Sequence, residues 1–157
     1  MDVPIVGGDA GDAVMDSRAV LEMMPHRYPF LLVDRVHSCS PGAEINGYKN
    51  ITRQDCVAID GSTATFPDLL VLESLAQLAL ILTFRSLGVH PTGKERMFFA
   101  GIDKATFARR PVAGERLNLS AHVVRMMPSK GIGKFRTCAR VDSELAAEAI
   151  MLAALRA

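Results

Sequence analysis

The stretch Leu69-Leu70-Val71-Leu72-Glu73-Ser74-Leu75-Ala76-Gln77-Leu78-Ala79-Leu80-Ile81-Leu82 decides how this chain folds. It is apolar almost throughout, and its breaks, Glu73, Ser74 and Gln77, fall inside the run. A membrane span needs about 20 apolar residues with few polar interruptions. This run is shorter and holds a carboxylate in its middle, so it reads as a helix buried inside a soluble domain. Extended to Leu87, with Gly88 just past its end, the helix reaches roughly 28 Å at about 1.5 Å per residue. A helix apolar nearly all round must be covered on most sides.

The flanking sequence supplies the cover. Asp16 or Ser17 can cap a short helix that runs to about Met24 and is ended by Pro25. Phe30 to Ser40 reads as a strand, Pro41-Gly42 as a turn and Ala43 to Thr52 as a second strand, together a hairpin. Arg53 to Asp68 reads as loop, with Gly61 and Pro67 in it. Beyond the long helix come three strand-like runs, Arg96 to Phe107, Arg116 to Met127 and Gly131 to Val141. Asp142-Ser143 makes a tight turn into Glu144 to Leu155. The Ala and Leu content of that last run would suit a helix. The two-residue turn, and a partner at Lys134 to Val141 that is plainly strand-like, make it a strand instead. The expected fold class is α+β, an antiparallel sheet wrapped around one long central helix. A flexible segment, 1–15, is expected to precede a single domain over 16–157.

Composition narrows the function classes. Apolar residues make up 49% and charged residues 22% of the 157, which is the balance of a globular protein. With 18 basic against 17 acidic residues the formal net charge is +1, so no global field draws in nucleic acid or a membrane surface. Met1 to Met15 has no basic region followed by an apolar one, so no secretion signal is expected and the location reads as cytoplasmic. Cys39, Cys56 and Cys138 are odd in number and form no CxxC pair, which suits small buried hydrophobes in a reducing cytosol. His37 falls on the first strand, His90 beyond the helix and His122 on a late strand. The histidines show no metal spacing, so no metal and no cofactor are expected.

Three stretches carry a family likeness. The first is Pro25-His26-Arg27-Tyr28-Pro29-Phe30-Leu31-Leu32-Val33-Asp34-Arg35, and the second is Leu72-Glu73-Ser74-Leu75-Ala76-Gln77. The third runs Phe99-Ala100-Gly101-Ile102-Asp103-Lys104-Ala105 and on through Arg110-Pro111-Val112-Ala113-Gly114-Glu115, and the closing VDSELAAEA adds to it. From about residue 17 to the end, in order, the chain resembles the FabZ-type 3-hydroxyacyl-[acyl-carrier-protein] dehydratases. The resemblance implies a hotdog protomer that works at least as a dimer, with trimers of dimers in the family. It implies a role in fatty acid or related acyl-chain biosynthesis. The substrate is then an acyl thioester, on acyl carrier protein or CoA, lying in a tunnel at the dimer interface. The family's site joins a His and a Glu from opposite subunits.

The chemistry fixes what such a site must contain. Water loss from a 3-hydroxyacyl thioester needs a base for the α-proton, an acid for the β-hydroxyl and donors for the enolate-like oxygen. Glu73 matches the family's acid. A carboxylate inside an apolar helix is costly unless paired or protonated, and burial raises its pKa toward the range a general acid needs. It can equally be a satisfied buried acid, paired with an Arg or with Gln77 four residues on. The family's base lies fourteen residues before the acid, and that position is Ile59, which takes no proton. Between His37 and His90 there is no other histidine. His26 belongs to the opening motif and reads as structural. Asp60 and Asp68, in the loop before the helix, are candidate substitutes for the base, and Asp68 can equally be the helix N-cap. Gly61 or Ser62 falls where the family's turn offers an N–H to the carbonyl. Gln77, Phe98 and Phe99 are candidate substrate-lining residues, the two Phe being equally suited to core packing.

Three functions stay open at this point. One is a dehydratase, weakened or rearranged. Another is a silent acyl-carrier-binding partner of an active paralogue. The third is a thioesterase that uses Glu73 alone. Arg109, Arg110, Lys130, Lys134 and Arg136 form a candidate docking patch for an acidic carrier protein, or an ordinary solvated basic loop.

Overall fold

The computed structural model describes residues 14–92 and 96–156, without the side chains of Arg96, Met97, Phe99, Leu155 and Arg156. Most of the expected flexible segment, residues 1–13, lies outside the described residues. Its last residue does not behave as a free tail. Met15 is buried and exchanges two main-chain hydrogen bonds with Val36, at 3.2 and 3.0 Å.

The element order is α1 (Ser17–Met23), β1 (Arg35–Ser40), β2 (Glu44–Asn50), α2 (Asp68–Leu87), β3 (Arg96–Phe107), β4 (Arg116–Met127), β5 (Ile132–Val141) and β6 (Glu144–Arg156). Asp16 caps α1, its Oδ1 accepting the Ala19 N–H at 2.8 Å. The six strands form one sheet in the order β1-β2-β4-β5-β6-β3, with every neighbouring pair antiparallel. The strand expected over Glu144 to Leu155 is present as β6. From Ala147 on, Ala147, Ala149, Met151 and Ala153 fill the buried face, with exposed or half-buried Glu148, Ile150 and Leu152 between them. Side-chain alternation at period two, set by pairing with β5, overrides helical propensity here.

The chain after Pro29 is not strand until Arg35, later than the expected start at Phe30. The reason lies in its hydrogen bonds. The Phe30 carbonyl and the Leu32 N–H are both taken by the Gln77 side chain of α2, so this segment is tied to the helix and not to a strand.

Helix α2 fills the concave side of the sheet. Val71 and every residue from Ser74 to Phe84 are buried. By length and composition α2 could cross a membrane, but 67% of its most apolar window is buried inside this fold. Full burial of a Leu or Ile side chain is worth about 1.5–3 kcal/mol, and Leu75, Leu78, Ile81 and Leu82 each reach 0% exposure. Gly88 ends the helix at φ 64°, a left-handed conformation that costs glycine nothing. At the other end Pro67 occupies the cap position. Asp68, an expected cap, is instead the first helical residue, where its charge still suits the positive end of the helix dipole.

The three cysteines are unpaired and half-buried, less deeply placed than expected. Burial pushes each thiol above its usual range.

Candidate active site

The open flank of α2 carries the acid. Glu73 lies one turn before Gln77, and its side chain keeps 24% exposure near the helix start, where Leu69 one turn earlier is also exposed. Gln77 is 1% exposed. Its Nε2 donates to the Phe30 carbonyl at 2.8 Å and to Glu73 Oε1 at 2.9 Å, while its Oε1 accepts the Leu32 N–H at 2.8 Å. A main-chain N–H can only donate, so it fixes the amide with oxygen toward Leu32 and NH2 toward Glu73. Gln77 therefore orients the acid and does not line a substrate surface, contrary to expectation.

A second group meets Glu73 from the segment between α1 and β1. His26 Nε2 is 3.6 Å from Glu73 Oε1, and the imidazole keeps 25% side-chain exposure. Its Nδ1 is buried with no partner among the described residues. Burial holds the His26 pKa below its usual value, with the Glu73 charge working in the opposite direction. His26 reads as structural in the sequence because it belongs to the opening Pro25–Arg35 motif. The signal that could have found it is the pairing of a His-bearing segment with a helix whose Gln must bond that segment.

The loop before α2 departs more from expectation. Asp60 and Gly61 both have positive φ, at 53° and 73°. They form a tight turn in which the Ser62 N–H and Oγ both bond the Ile59 carbonyl, at 3.1 and 2.7 Å. The Ser62 N–H is thereby used inside the turn, which removes it as a donor to a substrate carbonyl. Ile59 and Asp60 are exposed. Asp68 is gripped by Arg110, with Nε at 3.1 Å from both carboxylate oxygens and Nη2 at 2.9 Å from Oδ2. Among the described residues, the hydrogen-bond and ion-pair partners of Glu73 are Gln77 and His26, not Asp60 or Asp68.

Most of the expected docking patch is engaged within the chain. Arg109 holds Glu115 through both terminal nitrogens and Glu144 through Nε at 2.7 Å. The Arg109 hydrogen bonds hold the Glu115 carboxyl below the usual range, against a smaller opposing effect of burial. Arg110 pairs with Asp68 and Lys134 with Asp103. Lys130 and Arg136 are exposed, and Arg136 borders an open hollow with Lys104 and Glu148. A second hollow lies at the other end of α2, beside Phe84 and His90; neither reaches Glu73. Phe98 is 49% exposed on β3 and so is not core, while the Phe99 side chain lies outside the described residues.

A long helix held in a single curved antiparallel sheet, with an oriented carboxylate on its open flank, defines a hotdog domain. Residues 24–150 match the FabA-like domain family. The chain is 41% identical to the 3-hydroxyacyl-[acyl-carrier-protein] dehydratase FabZ of Dechloromonas aromatica, over 90% of this chain and 99% of that one. The enzyme of the same name from Psychromonas ingrahamii is 38% identical over 90% of this chain and 94% of its own length. Among solved structures, the dehydratase heterocomplex ApeI:P from Xenorhabdus doucetiae superposes with a TM-score of 0.73 at 14% identity, covering 88% of this chain and 91% of that one. At that identity the likeness speaks for the fold. The chain belongs to the FabZ-type 3-hydroxyacyl-[acyl-carrier-protein] dehydratase family.

Proposed function

We propose that this protein removes water from a 3-hydroxyacyl thioester, with Glu73 as the acid that protonates the departing hydroxyl. The observation that carries the reading is the Glu73 carboxylate, open to the surface on a buried helix and held in one orientation by Gln77. The names of the relatives at about 40% identity supply the substrate class, an acyl chain on a carrier protein. The α-proton leaves to a base and the β-hydroxyl leaves with a proton from Glu73, so that Cα=Cβ forms and water is released. A cytoplasmic place in acyl-chain synthesis follows from that substrate.

The reading includes a partner subunit. Strand β3 is an open sheet edge that ends far from β1, and Phe98, Ile102 and Phe107 stand exposed on it. A second copy of the chain can cover that edge and wall a channel beside Glu73. One observation favours a second reading, in which the partner is an active paralogue that supplies a base: Ile59 stands at the position where the family resemblance seeks histidine. Copurification of a histidine-bearing relative from the native source supports that arrangement, and a strict homodimer removes it.

The test of the main reading is turnover of a 3-hydroxyacyl thioester, followed by enoyl absorbance. Glu73→Gln keeps the size and the hydrogen bonds but cannot give up a carboxyl proton. It is expected to lower the rate by about 100-fold or more, within the usual contribution of general acid–base catalysis. Undiminished turnover in that variant removes Glu73 from the chemistry.

A further inference from the structure

Elimination of water needs two proton-handling groups, and Glu73 is one. Residues 25–34 cross the flank of α2, pinned by the bonds from Gln77 to Phe30 and Leu32. That path brings His26 Nε2 to 3.6 Å from Glu73 Oε1, and the two side chains reach the surface side by side with 25% and 24% exposure. The other ring nitrogen, Nδ1, is buried without a partner. A ring whose Nε2 lone pair faces Glu73 carries its proton on that buried Nδ1. Burial favours the neutral ring, the state a base requires. Glu73 on α2 is the charge that acts on it among the described residues. Arg27, next in the chain, turns its guanidinium onto the Leu21, Met24 and His26 carbonyls, and the Phe30 ring lies 6.1 Å away.

We propose that His26 is the proton acceptor of this site, so that a single chain carries both the base and the acid. His26 Nε2 takes the α-proton as the Cα–H bond breaks. The electron pair forms Cα=Cβ as the Cβ–O bond breaks, and Glu73 gives its proton to the hydroxyl, which leaves as water. The imidazolium then returns its proton to the Glu73 carboxylate across the 3.6 Å gap, restoring the starting state. The inference rests on the dehydratase reading, and its test separates the two.

A saturated acyl thioester has an α-proton but no leaving hydroxyl. Its α-hydrogen exchange in deuterium oxide therefore reads the base alone, while water loss from the 3-hydroxyacyl thioester reads acid and base together. His26→Gln is expected to lower both rates by about 100-fold or more. Exchange that persists in a His26→Gln protein with wild-type circular dichroism and melting overturns the proposal and leaves the dehydratase reading standing. Elimination that persists in Glu73→Gln overturns the dehydratase reading. Wild-type protein with neither activity overturns both. Should His26→Gln and His26→Asn both fail to fold, the wild-type imidazole is titrated by NMR. Its midpoint is expected to move down in Glu73→Gln, because the carboxylate that favours the charged ring is gone, and an unmoved midpoint overturns the proposal.

Discussion

Gln77 shows how much one neutral side chain can decide. It bonds a carbonyl, an N–H and a carboxylate at once, inside the protein. Replacing it with Leu preserves the bulk but strands the Leu32 N–H and the Phe30 carbonyl. Each stranded buried group costs about 1–3 kcal/mol. Gln77→Leu is therefore expected to lower the unfolding free energy by roughly 2–5 kcal/mol, read as a lower urea midpoint at unchanged slope. A midpoint within error of wild type would show that the segment 25–34 holds itself in place. The carboxylate of this site was legible in the sequence because a lone acid inside an apolar run is conspicuous. Its surroundings were not. Gln77 read as a lining residue and His26 as structural, because their roles arise from a contact between segments about fifty positions apart. No local pattern records such a contact.

At the scale of elements, the helices and the presence of the six strands follow from patterning, whereas strand ends, the order of strands in the sheet and close approaches do not. Gly47 on β2 is an example. A Cβ there would sit 2.5 Å from the Arg35 carbonyl oxygen and 3.2 Å from Leu78 of α2, where β1 is bulged between Val36 and Ser38. Gly101 on β3 has open space at the same position and no positive φ. Gly47→Ala is expected to destabilise the fold by about 1–3 kcal/mol through forced backbone movement, with Gly101→Ala near neutral, both measured by urea unfolding. Equal effects would mean that the β1–β2 contact yields freely. The turn after β2 makes a pH prediction. Asp55 accepts the Thr52 N–H and hydroxyl at 2.8 and 2.7 Å and meets Lys49, itself 5% exposed, at 3.2 Å. Burial pushes the Asp55 carboxyl up, but these partners together outweigh it and hold its pKa below the usual value. A folded-state pKa below the unfolded one, about 3.9, gives stability that is present above that pH and lost as pH falls through the folded value. Stability should fall between roughly pH 5 and pH 3, and Asp55→Asn should flatten that slope. An unchanged slope would assign the acid sensitivity to other carboxylates, such as Glu115.

For the whole molecule, the two edges of the sheet are treated differently. β1 is short, and Met15 covers it with two main-chain bonds at Val36. β3 is twelve residues long and stays exposed at nearly every described position. A long, partly apolar open edge is a template for strand addition unless something covers it. Here the edge carries Asp103, paired with Lys134 of β5, beside Phe98 and Ile102, a mixture that tolerates water yet gains from burial. The composition, at a net charge of +1, adds no long-range repulsion between copies. In the reading proposed above, a second copy that covers this edge also supplies the wall beside Glu73. Phe98→Asp with Ile102→Asp places two carboxylates on each edge, which opposes pairing of a second copy and leaves the core untouched. Sedimentation velocity is expected to show wild type as a dimer or larger at micromolar concentration and the double variant as a monomer. Circular dichroism should be unchanged, and dehydration should fall with the loss of the channel wall. A double variant that stays assembled would place the subunit contact on another face. A monomer with full turnover would show that one chain suffices, as an intrachain His26–Glu73 pair permits.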